Sequence, residues 1–381
     1  MATWIKKIDT IVNSLATQAL GSEVVGTDAT FVSIGETVLS TENNKEAFFN
    51  VLANRCYDTV IAMRDYNQKN ANLDKHPTEY GSILQKLYVD LPEAKENTSW
   101  NDVNTAASNP YEKFPSMVKQ KFFTKVSVWE YDVSIPDIQL KTAFLNEEAM
   151  GAFITGIFTA MYNSMALSYE NTGNICRARL IAEKSKMGNG NGYINVLHLY
   201  NTETNKSLTV ANCLHDADFL RYLAMTIDLY TGRVGNMSKL FNDKSIARHT
   251  PKEFLHLDVH SEVAKRMQYF LQSNTYHENL VKLPLYNEVD YWQGTGETYA
   301  FTDTGKVMVA LNESTPEVFT TVSNVVAVMY DDMSIGTTID NRRTKTARNE
   351  RDEFTNYFAK AEMGYFNDLM ENGIVFYLAE E

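Results

Sequence analysis

Three residues in one short run have the types and spacing that chemistry requires: His256, Asp258 and His260, within EFLHLDVH (253–260). Successive side chains of a strand alternate between faces, so these three share one face, where two imidazoles and a carboxylate could hold a divalent metal. Leu255, Leu257 and Val259 make the opposite, apolar face, and the same pattern equally describes the solvent face of a half-buried strand. No other run does better. HENLV (277–281) lacks the second histidine of a metalloprotease helix, and TGKVM (304–308) lacks the Ser/Thr and the upstream glycine of a phosphate loop. GNGNG (188–192) misses the dinucleotide spacing and follows a helical pattern, so a hinge is expected there. Asp331 and Asp332 are adjacent and would point to opposite faces of a strand. Cys56, Cys176 and Cys213 are too far apart for a cysteine zinc site or a disulfide framework. The sequence therefore assigns no catalytic, cofactor-binding or metal-binding residue, and reads as no enzyme; a metal-dependent enzyme using His256, Asp258 and His260 is the alternative from another class.

The 381 residues carry a net charge of −13, which argues against broad binding of nucleic acid, because phosphate affinity comes from clustered cations. The one basic run, NRRTKTARNER (341–351), lacks interleaved aromatics and is expected to be a solvated or interface-facing loop.

The elements that must position any such groups follow from periodicity. From Ala149 to Tyr169 no residue is charged, a length that would suffice to cross a bilayer. Thr155, Thr159 and Asn163 recur at i, i+4, i+8, with Glu148 and Glu170 extending the stripe, while Phe153, Phe158, Met161, Tyr162 and Met165 fill the rest. That is a helix covered by protein, running to about Met187. Ahead of it, residues 2–20 and 43–56 read as helices and 58–66 as a strand. GSILQKLYVD (81–90) and MVKQKFFTKVSVWEYDVSI (117–135) read as the two strands of a long hairpin with a polar, proline-containing tip. Such a ribbon is marginal alone and needs a surface to lie on. Residues 193–320 alternate strand and helix: strands at 193–200, 253–260 and 280–286, helices at 216–232 and 261–273. The tail supplies strands at 325–331, 335–340, 353–366 and 373–378.

As an ordered set these pieces resemble the major capsid proteins of tailed bacteriophages, the Hong Kong 97-type shell fold, and most of all those of small short-tailed phages. Three stretches carry the likeness: EAFFNVLANRCYDTVIAMRDY leading into GSILQKLYVDLPEA; IPDIQLKTAFLNEEAMGAFITGIFTAMYNSMALSYEN; and the tail from VVAVMYDD to GIVFYL. The LKTAF and MYNS segments are the most specific.

The resemblance implies an α+β chain with an N-terminal arm (1–42), a peripheral domain begun at 43–66, and an extended E-loop hairpin (67–138) lying over the neighbouring subunit. It further implies a long spine helix and hinge (139–192), an α/β axial domain (193–320), and return strands of the peripheral domain (321–381). The function implied is a major head protein that self-assembles into pentamers and hexamers, forming an icosahedral or prolate shell around double-stranded DNA; an encapsulin-like nanocompartment with the same fold is the related alternative. Its partners would be itself, a separate scaffolding protein, a portal protein and, through weak non-specific contacts only, the packaged DNA. No membrane and no cofactor enter, and its place would be the virion, assembled in the bacterial host cytoplasm. Phe123 and Trp129 on the hairpin and Phe153, Phe158 and Tyr162 on the helix are the expected inter-subunit or core anchors.

Overall fold

The computed structural model describes residues 70–75, 84–89, 91–92, 94, 111, 113, 115, 118–123, 126–138, 147–188, 190–273, 286–293, 298–312 and 317–380; within these, residues 71, 84, 126, 147–158, 162, 271–273 and 340–341 are described by backbone only. The expected arm, the elements at 2–20, 43–56 and 58–66, and the strand at 280–286 lie outside the described residues, 286 apart. The chain divides into two compact units.

The first unit comprises residues 1–77, 126–172 and 338–364. Its sheet runs in the order β10 (Ile335–Asn349), β11 (Phe354–Asn367), β3 (Val126–Pro136). Strand β11 pairs antiparallel with β3 from Phe354 opposite Pro136 to Gly364 opposite Val126. Thr355, Tyr357, Ala359, Ala361 and Met363 are buried at every second position, and Ala361 and Met363 pack on Tyr169 of the helix α1 (Glu147–Ser185), with Tyr131, Met165 and Ile339 alongside. The basic run is not a loop. Residues 341–349 complete β10, because Thr344 and Thr346 favour extended backbone and alternate with charged neighbours. Arg348 forms two parallel bonds to Asp137 (3.2 and 3.0 Å) and Arg343 reaches Glu362 at 2.8 Å. Asn349 Oδ1 accepts from the N–H groups of Arg351 and Asp352 and turns the chain into β11.

The second unit comprises residues 78–125, 173–337 and 365–381. Its five-stranded mixed sheet has the order β4 (Tyr193–Asn195), β12 (Gly373–Tyr377), β9 (Val325–Asp331), β5 (Leu255–His260), β6 (Asn287–Val289). Strand β9 reads VVAVMYD and is buried from Val325 to Tyr330, as a central strand covered on both faces should be. Helices α2 (Val196–Thr204), α3 (Ala217–Val234) and α4 (Ser261–Ser273) cover it, with Leu197, Phe219, Leu223, Ile227, Val263 and Met267 in the shared core. Residues 193–200 are not one strand: Asn195 Oδ1 accepts from His198 N–H and starts α2, whose buried Val196, Leu197 and Tyr200 follow helical spacing. Two hairpins complete the unit: β1 (Leu84–Val89) with β2 (Val118–Phe123), and β7 (Val307–Ala310) with β8 (Phe319–Val322). Within the expected single strand at 117–135, residues 118–123 form β2 and pair with β1, whereas β3 begins at Val126 and pairs with β11.

In the GNGNG run Gly188, Gly190 and Gly192 all have positive φ. At Gly192 a side chain is excluded twice over, since its Cβ would also sit 2.8 Å from the Gly373 carbonyl.

Candidate functional site

The face of β5 that carries His256, Asp258 and His260 is not a solvent face. Asp258 and His260 are buried: Arg177 of helix α1 reaches Asp258, and Trp292, Phe301 and Thr304 lie against His260. Asp258 Oδ2 accepts from Arg177 Nε of α1 at 2.5 Å and from the Tyr330 hydroxyl at 3.0 Å, and its Oδ1 accepts from Asn287 Nδ2 at 3.1 Å. Burial would by itself pull the Arg177 guanidinium down; the facing carboxylate outweighs this, and its pKa moves up. Burial likewise pushes the Tyr330 hydroxyl well up, so it stays a donor. His256 Nε2 sits 2.8 Å from Asp332 Oδ1, and His260 Nε2 sits 2.9 Å from Thr304 Oγ1. Burial lowers His260 to about 4, which keeps its ring neutral against Phe301 and Trp292. Each of the three residues is thus committed to a different protein partner, and among the described residues no group of three His, Cys, Asp or Glu side chains could hold a metal ion. The constellation does structural work: it pins the carboxy-terminal half of α1 to the sheet.

A second buried carboxylate has a different constituency. Asp368, in the turn between β11 and β12, is fully buried and accepts a bond from the Tyr88 hydroxyl and bonds from Lys86 Nζ (3.1 Å) and Lys121 Nζ (3.4 Å). All three donors belong to the β1/β2 hairpin. Glu371 of the same turn pairs with Arg248 at 2.9 Å, and the Arg248 guanidinium lies 4.6 Å over the Tyr88 ring. Phe123 packs on Phe366 with ring centroids 5.5 Å apart. One face of the hairpin is therefore spent on its own subunit.

The other face is bare. Leu87, Val89, Val118 and Phe122 are 62, 60, 56 and 51% exposed, and the register places Val89 opposite Val118 and Gln85 opposite Phe122. Sequence reading singled out Phe123, which turns to Phe366; Phe122 was missed. The signal was present, since Val118, Gln120 and Phe122 form the uncharged face of VKQKFF while Lys119, Lys121 and Phe123 form the other. Trp129 is half-exposed on β3 opposite Ala361. Phe153, Phe158 and Tyr162 lie on α1, but their side chains fall outside the described residues. Thr159 and Asn163 are exposed, as the polar stripe required; Glu170 is buried instead, and its own backbone carbonyl accepts from Asn70 Nδ2 at 2.8 Å. Among the described residues no helix is long and apolar enough to cross a membrane.

This α+β arrangement is the fold of phage shell subunits. It matches a chain from the capsid of Staphylococcus phage Andhra with a TM-score of 0.51, covering 81% of this chain and 83% of that one at 8% identity. A chain from the structure of the head fibre and inner core protein of native bacteriophage P68 also matches at a TM-score of 0.51, with 80% and 83% coverage and 10% identity. These likenesses establish the fold alone, the Hong Kong 97-type capsid fold. In sequence, 131 residues are 25% identical to the major capsid protein of Bacillus phage PZA; the match takes in 34% of this chain and spans 28% of that relative's length. Residues 8–377 match the Phi29-like phage major capsid protein family, and the chain belongs to that family. It is a structural protein of the virion.

Proposed function

We propose that this chain is the repeating subunit of a closed phage head, assembling with itself into pentamers and hexamers around double-stranded DNA, and that the outer face of β1/β2 is laid on a neighbouring copy. The carrying observation is the exposed row Leu87, Val89, Val118 and Phe122 on a ribbon whose opposite face is already docked. A two-stranded ribbon with one free apolar face gains stability only by covering it. Membership in a family of shell proteins supports a second copy as that cover. In this reading β1/β2 and the residues joining them form the extended loop, α1 with β3, β10 and β11 the peripheral domain, and the five-stranded sheet with its helices the axial domain. This moves β3 out of the expected hairpin (67–138), and β9 and β12 out of the expected peripheral return strands (321–381), because of the sheets in which they pair. Head-to-tail contacts of this kind close into rings. A scaffolding protein and a portal are the further partners, and assembly takes place in the host cytoplasm. Contacts to packaged DNA are weak, given a net charge of −13.

The test is co-expression with a scaffolding protein, followed by sedimentation velocity and negative-stain microscopy. Rings or shells from the wild-type chain, and folded unassembled subunits from Leu87→Ser combined with Phe122→Ser, are expected. Unchanged shells from the double variant would remove the hairpin face from the interface.

A further inference from the structure

The polar clamp under the β1/β2 hairpin has a feature that simple packing does not require. Lys86 and Lys121 stand directly opposite each other across the antiparallel pair. Like charges at that position oppose strand pairing. What relieves them is outside the hairpin: the Asp368 carboxylate lies 3.1 Å from one ammonium and 3.4 Å from the other, with Glu371 3.8 Å from Lys86. Asp368 is itself held rigidly by its turn. Its N–H donates to the Ser334 carbonyl at 2.7 Å, and its Oδ1 accepts from Met370 N–H at 3.2 Å. The seat is therefore built whether or not the hairpin occupies it, whereas the base of the hairpin depends on the seat.

We propose that Asp368 is the catch of a reversible latch: it holds the β1/β2 hairpin to its own subunit, and loss of its charge frees the hairpin to change pose while the five-stranded sheet stays folded. The latch rests on the reading of the hairpin as the arm that reaches a neighbouring copy, and it regulates that arm. Attachment by charge suits release. Charge-assisted bonds are strong when dry and weaken as water and salt enter, whereas an apolar seat would hold at any ionic strength.

The charged and titratable groups facing the catch are Lys86 and Tyr88 from β1, Lys121 from β2, and Arg248 and Glu371 on the body, with Asp331 beside Glu371. Burial by itself would raise the Asp368 carboxyl; the bond from Tyr88 and the two ammonium groups outweigh it and hold the carboxyl below its ordinary range. A carboxylate depressed in the docked state favours docking above the ordinary carboxylate range, and that contribution is lost as pH falls through the depressed value. Glu371 is raised by burial and acts in the opposite sense, so acid release belongs to Asp368.

The test is hydrogen–deuterium exchange on the full, unassembled chain, comparing wild type with Asp368→Asn and with Lys86→Glu. In both variants protection of amides in 84–89 and 118–123 is expected to fall about a hundredfold, with 325–331 and 373–377 unchanged. Lys86→Glu leaves the turn's own bonds intact, so it decides the matter if Asp368→Asn misfolds. Unchanged hairpin protection in Lys86→Glu overturns the latch, and so does a loss that spreads to 325–331 in both variants, because the carboxylate would then be holding the core. Exchange is read without assembly, so the two readings fail separately. A freed hairpin, together with normal shells from the Leu87→Ser, Phe122→Ser chain, would leave the latch standing and remove the interface reading beneath it.

Discussion

Asp258 and Asp368 are chemically near-twins. Both are fully buried, both sit in the unit built on the five-stranded sheet, and both accept from a tyrosine hydroxyl and at least one cation. What differs is the element on the other end. Arg177 and Tyr330 come from a long helix and a central strand, each held by its own apolar contacts, so the Asp258 network joins parts that have nowhere else to go. Lys86, Tyr88 and Lys121 come from a two-stranded ribbon with a bare outer face, so the Asp368 network holds an appendage. One set of interactions thus serves to fasten in the first place and to attach in the second. The lesson is that the consequence of a buried ion pair depends on how independently its partners are held.

The largest expected effect is on the fastening side. Asp258→Ala removes the carboxylate that faces the buried Arg177 guanidinium, and should cost about 3–5 kcal/mol of stability, read in a denaturant titration of the unassembled chain. A loss below about 1 kcal/mol would erase the distinction between the two carboxylates. His260, on the same strand, sharpens it through pH. The folded chain keeps this ring neutral down to about 4, while the unfolded chain protonates it from about 6.5. Stability is therefore fully present above that higher value and falls as pH drops toward the lower one, by about 3 kcal/mol for this group. His260→Gln should flatten the profile in that window, and an unaltered profile would mean that the region is open to water. Gly192→Ala probes the turn that meets the start of β12. Positive φ and the nearby Gly373 carbonyl both oppose a side chain, and about 1–3 kcal/mol should be lost in thermal melts. Smallest is a control remote from both networks: Asp216, whose Oδ1 accepts from Asp218 and Phe219 N–H at 2.8 and 2.9 Å, caps α3. Asp216→Ala should cost about 1 kcal/mol and leave hairpin exchange untouched.

Local pattern carried much of the fold. The unbroken VVAVMYD run announced a covered strand, and Asp216 announced the start of α3, although that helix runs past Gly232 to Val234. The long uncharged helix and the strands at β5, β11 and β12 were legible for the same reason: their periodicity is written in consecutive residues. The first part of β10 was legible as a strand at 335–340, but its continuation through 341–349 was read as a loop because its arginines and lysine resemble a solvated run, although Thr344 and Thr346 carried a period of two. The candidate site was harder. Arg177 and Asp258 are 81 residues apart, and Lys86 and Asp368 are 282 apart, so no spacing links them; only the sheet topology brings them together. The three residues of β5 were correctly placed on one face, yet their environment was inverted, because nothing in an alternating strand says what covers its polar side.

The most direct test of the central claim compares the wild-type chain with the Leu87→Ser, Phe122→Ser chain, each expressed with a scaffolding protein, by sedimentation velocity. A shell protein that reaches its neighbour through the outer hairpin face should give rings or megadalton particles from the first and folded monomers from the second. Monomers from both, or identical particles from both, would contradict it.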